Sequence, residues 1–231
     1  MPKPPPYAAV LFDLDGTLLD TAPDMIAALD ALLAEQDHGP VDYARARLHV
    51  SRGALGLIDL AFGALGIELE QAHRVSLCDR YLELYANHLC QATTLFDGMA
   101  DVLVRLEAAN LAWGIVTNKP GFLAEPLLAE LGLLPRCAVL VSGDTLPERK
   151  PHPQPLLHAA GQIGVSPERT VYVGDDTRDI EAGNAAGMTT VAATYGFIPS
   201  GDDPARWPAN HWIERPVDLL TLPGLDTLGG T

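Results

Sequence analysis

Asp13 and Asp15 close the apolar run Val10-Leu11-Phe12, with Gly16 and Thr17 directly behind them. Strand side chains alternate, so this spacing predicts two carboxylates on one side of a strand end. Three more apolar runs end in polar groups. WGIV leads into Thr117 and Asn118, CAVLVSGDTLPERKP carries Lys150, and TVYVG leads into Asp175 and Asp176, with Asp179 shortly after. Carboxylates clustered without His or Cys suit a hard cation with oxygen ligands, Mg²⁺ above all, and Mg²⁺ commonly works beside a phosphate. Lys150 offers a point charge for phosphate oxygens. Thr117 offers a hydroxyl and a backbone N–H, and Gly16 permits a sharp turn that brings amides near an anion. A carboxylate so placed can attack phosphorus to give an aspartyl-phosphate, provided charge is neutralised around it.

These groups can converge only if the elements that carry them share one edge. From residue 95 onward the chain alternates: helix in FDGMADVLVRLEAAN, strand in LAWGIVTN, helix in PGFLAEPLLAELG, strand in CAVLVSGD. Helix, strand, helix and strand follow in PQPLLHAAGQIG, TVYVGDD, TRDIEAGNAAG and TTVAATYG. Alternation of this kind predicts an α/β fold, a Rossmann-like, doubly wound parallel sheet covered on both faces. Ligands of such sheets bind outside the carboxyl ends of the strands, where all four polar motifs lie. Between the first strand and this rhythm the pattern stays helical, with Met25, Leu29, Leu32 and Leu33 at helical spacing. It reads as an inserted α-helical cap over residues 20–94, leaving a core domain of residues 1–19 and 95–231. The tail is expected to add a short strand near HWIE and a helix near PVDLLTL.

Composition narrows the function classes. At 231 residues with 48% hydrophobic content, the chain can bury a full core. A formal charge of −15 argues against nucleic acid or an anionic membrane as partner, though a local cation can still admit an anionic substrate. Cys78, Cys90 and Cys137 are widely spaced without a CxxC, which suits reduced, buried thiols rather than zinc or disulfides. The opening MPKPPPYAAV lacks a signal peptide's apolar core, and no apolar run is long enough to span a bilayer. A cytoplasmic protein is expected.

DLDGT, the Thr-Asn pair, the Lys-Pro segment and GDxxxD, in this order, resemble the haloacid dehalogenase superfamily, and the cap after the first motif resembles its first cap class. Within it the chain is similar to the phosphoglycolate phosphatase-like family. More closely, VLFDLDGTLLDTAPDM, HVSRG, WGIVTNKP, VSGDTLPERKP and YVGDDTRDIEAG resemble the bacterial N-acetylmuramic acid 6-phosphate phosphatases of peptidoglycan recycling. The resemblance implies Asp13 as nucleophile and Asp15 as the acid that protonates the leaving alkoxide and then takes a proton from water. It implies Thr117, Asn118 and Lys150 around the phosphoryl group, and Asp13, the backbone carbonyl of Asp15 and Asp175 around Mg²⁺. Asp179 would orient the metal's surroundings. The substrate would be a small phosphorylated metabolite, a sugar phosphate or phosphoglycolate.

Each assignment has a plainer counterpart. Thr117 and Asn118 are ordinary loop residues by type, Lys150 could be a solvated lysine, and Asp175 and Asp179 could cap the next helix. In the cap, His49, Ser51, Arg52 and Gly53 form a polar knot, either a solvated helix start or a substrate loop with Arg52 on an anion or sugar. His152 reads as a loop or helix-start residue. Other readings of the whole chain are a phosphomutase, which would keep the same core motifs, and a non-catalytic binding protein. A dehalogenase would have no use for Asp15.

Overall fold

The structure, a computed structural model, describes residues 6–226; the outermost ends of the expected core domain lie outside them. Six strands form one parallel sheet: β1 (Ala9–Phe12), β4 (Ala112–Val116), β5 (Leu140–Val141), β6 (Thr170–Gly174), β7 (Thr189–Ala193) and β8 (His211–Ile213). Their order is β5-β4-β1-β6-β7-β8. β1 therefore sits centrally, paired to β4 on one side and β6 on the other. It is buried throughout, and successive residues feed opposite layers. Val10 and Phe12 pack with Met99, Val102 and Leu103 of α5 (Met99–Ala108) and with Ala124 and Leu127 of α6 (Gly121–Glu130). Leu11 packs with Leu156 and Ala159 of α7 (Gln154–Ile163) and with Ala182 of α8 (Thr177–Ala186). Helices thus cover both faces, the doubly wound arrangement expected from the alternating pattern.

Four helices lie between β1 and β4: α1 (Ala22–Glu35), α2 (Tyr43–Arg47), α3 (Gly53–Ala64) and α4 (Gln71–Asn87), with a 3₁₀ turn at Val50–Arg52. They have an apolar cluster of their own, including Met25, Leu29, Leu57, Phe62, Tyr81 and Tyr85. Leu123 and Phe197, from outside the segment, join this cluster. Two features escaped the sequence reading where the segment begins and ends. β2 (Leu19–Asp20) and β3 (Thr94–Leu95) pair antiparallel, Leu19 opposite Leu95 and Asp20 opposite Thr94. Two-residue strands leave no periodicity to read. Beside them Asp24, 4% exposed, accepts from Ala92 N, Thr93 N and Thr93 Oγ1 at 2.7–3.1 Å, tying the first turn of α1 to the returning chain.

The tail differs from expectation in one element. β8 forms, but Pro216–Thr221 is a 3₁₀ helix. Pro216 opens it, and Leu222, held extended ahead of Pro223, closes it. The residue before a proline is pushed out of helical geometry, so Leu222 ahead of Pro223 stops the turn there. The three cysteines are free and half-buried rather than buried. No helix among the described residues is long and apolar enough to cross a membrane.

Candidate active site

The carboxyl ends of β1, β4 and β6 open on a cavity of about 310 Å³. Asp13, Asp15, Thr117, Asn118, Lys150 and Asp179 line it from the sheet side, and Ser51, Arg52, Leu55, Tyr81, Leu82 and Tyr85 face them from the helical segment. The strand-end motifs therefore meet, as the topology requires.

Asp13 follows β1 directly, its N–H bonded to Val173 O of β6. Its Oδ1 lies 2.7 Å from Lys150 Nζ. That ammonium also reaches Asp179 Oδ1 at 2.7 Å and the Tyr172 hydroxyl at 2.9 Å, and Lys150 is only 5% exposed. Lys150 is thus a buried charge, not a solvated lysine. Asp179 adds bonds from the Tyr172 hydroxyl (3.1 Å) and, on its other oxygen, from Asp176 N (3.1 Å). Its oxygens are largely committed to holding Lys150 and capping α8. Asp175, 1% exposed, accepts from Thr17 Oγ1 (3.1 Å), Phe197 N (2.8 Å) and Ser51 Oγ (2.8 Å). Gly16, with φ at +86°, crosses directly over it, and a Cβ there would overlap Asp175 Oδ2. Only glycine meets both the backbone angle and the close approach.

Asp15 does not share the lysine of Asp13. It points to Lys119, whose Nζ lies 2.9 Å from Asp15 Oδ1 and 3.0 Å from the hydroxyl of Tyr85 on α4. Thr21 Oγ1 donates to the same Asp15 oxygen at 2.7 Å. From sequence only Lys150 is expected in the site; the fold brings two lysines there, Lys150 on Asp13 and Lys119 on Asp15. The signal for Lys119 was its place directly behind a strand-end Thr-Asn, beside Pro120, where it resembles ordinary loop sequence.

Two expected donors are spent elsewhere. The Thr117 N–H bonds to Val141 O at 2.9 Å, continuing the β4–β5 ladder, so it offers no amide to an anion. Its hydroxyl accepts from Lys119 N at 3.1 Å and keeps its own proton to give. The Asn118 side chain clamps the backbone of Lys150, donating to its carbonyl at 3.0 Å and accepting from its N–H at 3.1 Å. That side chain positions the lysine rather than reaching for phosphate.

The knot at residues 49–53 lies over the cavity. Arg52, exposed, lines it. Ser51 makes the contact that sequence did not suggest: its hydroxyl bonds Asp175, and its carbonyl accepts from Arg178 Nη2 at 2.7 Å. Arg178 is held in turn by Asp176 through Nε at 2.9 Å and Nη2 at 2.8 Å. His152 lies outside this assembly, exposed before α7, with its Nδ1 accepting from Gln154 N.

Asp13, Asp175 and Asp179 bring carboxylate oxygens within 4.8 Å of one another. Burial, and less strongly Asp179 and Asp15, push Asp13 up to about 7 against the pull of Lys150. Burial, with Asp13 and Asp179 behind it, drives Asp175 well above the ordinary carboxylate range. The oxygen-only donor set of Asp13, Asp175 and Asp179, buried and mutually close, fits a divalent hard cation.

The family model described as haloacid dehalogenase-like hydrolase matches residues 10–193. A protein of Xanthomonas campestris pv. campestris named phosphoglycolate phosphatase is 50% identical over 91% of this chain and 94% of its own length. A Pseudomonas aeruginosa protein named N-acetylmuramic acid 6-phosphate phosphatase is 43% identical over 93% of each. Among solved structures, that of a predicted phosphoglycolate phosphatase from Haemophilus somnus 129pt superposes with a TM-score of 0.83 at 26% identity, covering 93% of this chain and 97% of that one.

Proposed function

The chain belongs to the haloacid dehalogenase-like hydrolase family, and from that premise we propose that it is an Mg²⁺-dependent phosphomonoester hydrolase working through an aspartyl-phosphate. The observation that carries the reading is the buried Asp13–Lys150–Asp179 chain beside Asp175, an anionic cluster with a lysine at its centre. Asp13 attacks phosphorus. As its bond to phosphorus forms, the ester P–O bond breaks, and Asp15 gives a proton to the departing alkoxide oxygen. Asp15, now a carboxylate, takes a proton from water as that water attacks the aspartyl-phosphate, releasing phosphate and restoring Asp13. Lys150 and the Thr117 hydroxyl hold phosphoryl oxygens, with Asn118 and Asp179 fixing Lys150. Asp13, the Asp15 carbonyl and Asp175 would hold Mg²⁺, which supplies positive charge for the phosphoryl oxygens when bound. Residues 20–94 act as a cap that excludes water, with Arg52 contacting the remote part of the substrate.

For the substrate we favour N-acetylmuramic acid 6-phosphate. The cavity has the size of those that enclose ligands well above a two-carbon ester. Its cap wall of Leu55, Tyr81, Leu82 and Tyr85 offers apolar surface to a substituted sugar. The second reading is 2-phosphoglycolate, favoured by the 50% identity to proteins named for that activity. The test is phosphate release from both esters, with Mg²⁺ and with chelator, beside Asp13→Asn. Turnover of the muramic ester that stops with chelator and in the variant supports the reading; preference for phosphoglycolate transfers it to the second. Isomerised phosphate ester without phosphate release would mean a mutase, and no turnover of either ester with retained ligand binding would mean a binding protein.

A further inference from the structure

We propose that Lys119 is a positioning residue for Asp15, and that Tyr85 makes this positioning depend on the cap being seated. The inference rests on the phosphatase reading, in which Asp15 supplies the leaving group's proton. Both side-chain donors to Asp15, Thr21 and Lys119, converge on Oδ1. A carboxylate pinned through one oxygen by two donors cannot swivel, and Oδ2 is the oxygen left for the ester.

Lys119 is built to hold that position. Its main chain is fixed at both ends: its N–H donates to Thr117 Oγ1, and its carbonyl accepts from Gly143 N at 2.8 Å. Gly143 must be glycine for that approach, because a Cβ would overlap Asn118 O. The residue is 7% exposed, and its side chain ends between Asp15, the Tyr85 hydroxyl and Met25 Sδ. Asp15 and Lys119 come from the sheet domain, whereas Tyr85 and Met25 belong to the cap helices α4 and α1. Tyr85 is itself packed on Tyr81, whose hydroxyl donates to Met25 O at 3.0 Å. Moving α4 away removes one of the ammonium's two oxygen partners and frees it to leave Asp15. Proton delivery is thereby joined to closure.

A lysine that only balanced a buried charge would affect every substrate alike. A lysine that aims the acid matters most where the leaving group needs a proton. An alkoxide needs one, whereas a nitrophenolate departs without it. The experiment measures kcat/KM of the full chain with Mg²⁺ on a sugar 6-phosphate and on p-nitrophenyl phosphate, for wild type, Asp15→Asn, Lys119→Met and Tyr85→Phe. Asp15→Asn, the reference, is expected to lose about 100-fold or more on the sugar ester relative to the aryl ester. Lys119→Met should lose at least about tenfold in that ratio, and Tyr85→Phe a few-fold, in the same direction. Equal losses on both esters, or an unchanged ratio, in the two variants would overturn the inference while a selective Asp15→Asn loss left the phosphatase reading standing. An unselective Asp15→Asn, or a wild type inactive on both esters, would sink that reading and the inference with it. If Lys119→Met does not fold, Tyr85→Phe, which removes one oxygen, decides.

Discussion

Replacing Lys150 with methionine removes a cation that touches both Asp13 and Asp179, each at 2.7 Å, and withdraws a donor from the Tyr172 hydroxyl. Methionine keeps the volume, so the loss is electrostatic. Taking one partner from a buried ion pair costs about 3–5 kcal/mol because the other charge is left without compensation. The pH dependence gives the sharper test. In the native wild type Asp13 is pushed up to about 7, from 3.8 in the unfolded chain. The native state therefore binds the extra proton between those values, and the Asp13 contribution to stability falls as pH rises from 3.8 to about 7, then levels off. Lys150 is among the groups that lower Asp13. Without it, Asp13 keeps its proton above 7, and its contribution to the stability of the variant goes on falling where that in the wild type is level. The gap should be constant below about pH 7 and widen by about 1.4 kcal/mol per pH unit above it, the value of one proton. Urea unfolding of both proteins in chelator at pH 6 and pH 8 reads this directly. The midpoint difference should be larger at pH 8. An equal difference at both pH values, or a variant as stable as wild type at both, would refute the reasoning, because Lys150 would not then be what keeps Asp13 ionised.

Two further outcomes follow from the same contacts. A cation at the Asp13–Asp175 pair must displace protons that burial holds there, so Mg²⁺ affinity should rise with pH most steeply up to about 7, with proton release on binding. Calorimetry in buffers of different ionisation enthalpy measures both, and a pH-independent affinity between pH 5 and 7 would contradict the assignment. Asp24→Ala strands the Ala92 N–H, Thr93 N–H and Thr93 hydroxyl in a buried seam, and should cost about 1–3 kcal/mol in chemical unfolding, whereas a change inside about 0.5 kcal/mol would mean water replaces the carboxylate freely.

The division between what sequence disclosed and what it withheld follows sequence separation. The central strand is legible because it is buried on both faces and leaves an unbroken apolar run, so its polar end stands out. Asp13, Lys150 and Asp175 could be named because each marks such an end or the loop behind it, and parallel topology then dictates that the ends converge. What happens across the crevice has no local mark. Lys119 lies 104 residues from Asp15 and 34 from Tyr85, and Ser51 lies 124 from Asp175. Each of these residues has ordinary neighbours, and its function exists only once the helical segment is laid over the sheet edge. The same cause explains why two donors named from sequence are in part committed elsewhere. Thr117 and Asn118 are of the right type to bind phosphate. The amide of the first is consumed by β5, and the side chain of the second by the backbone of Lys150, partners 24 and 32 residues away. Chemistry-bearing residues thus announce themselves by type and by their place at a strand end, whereas the residues that aim them are set by topology. For this chain the aim comes largely from the seam between sheet and helices, where Asp15 and Asp175 each take a bond from an element on either side.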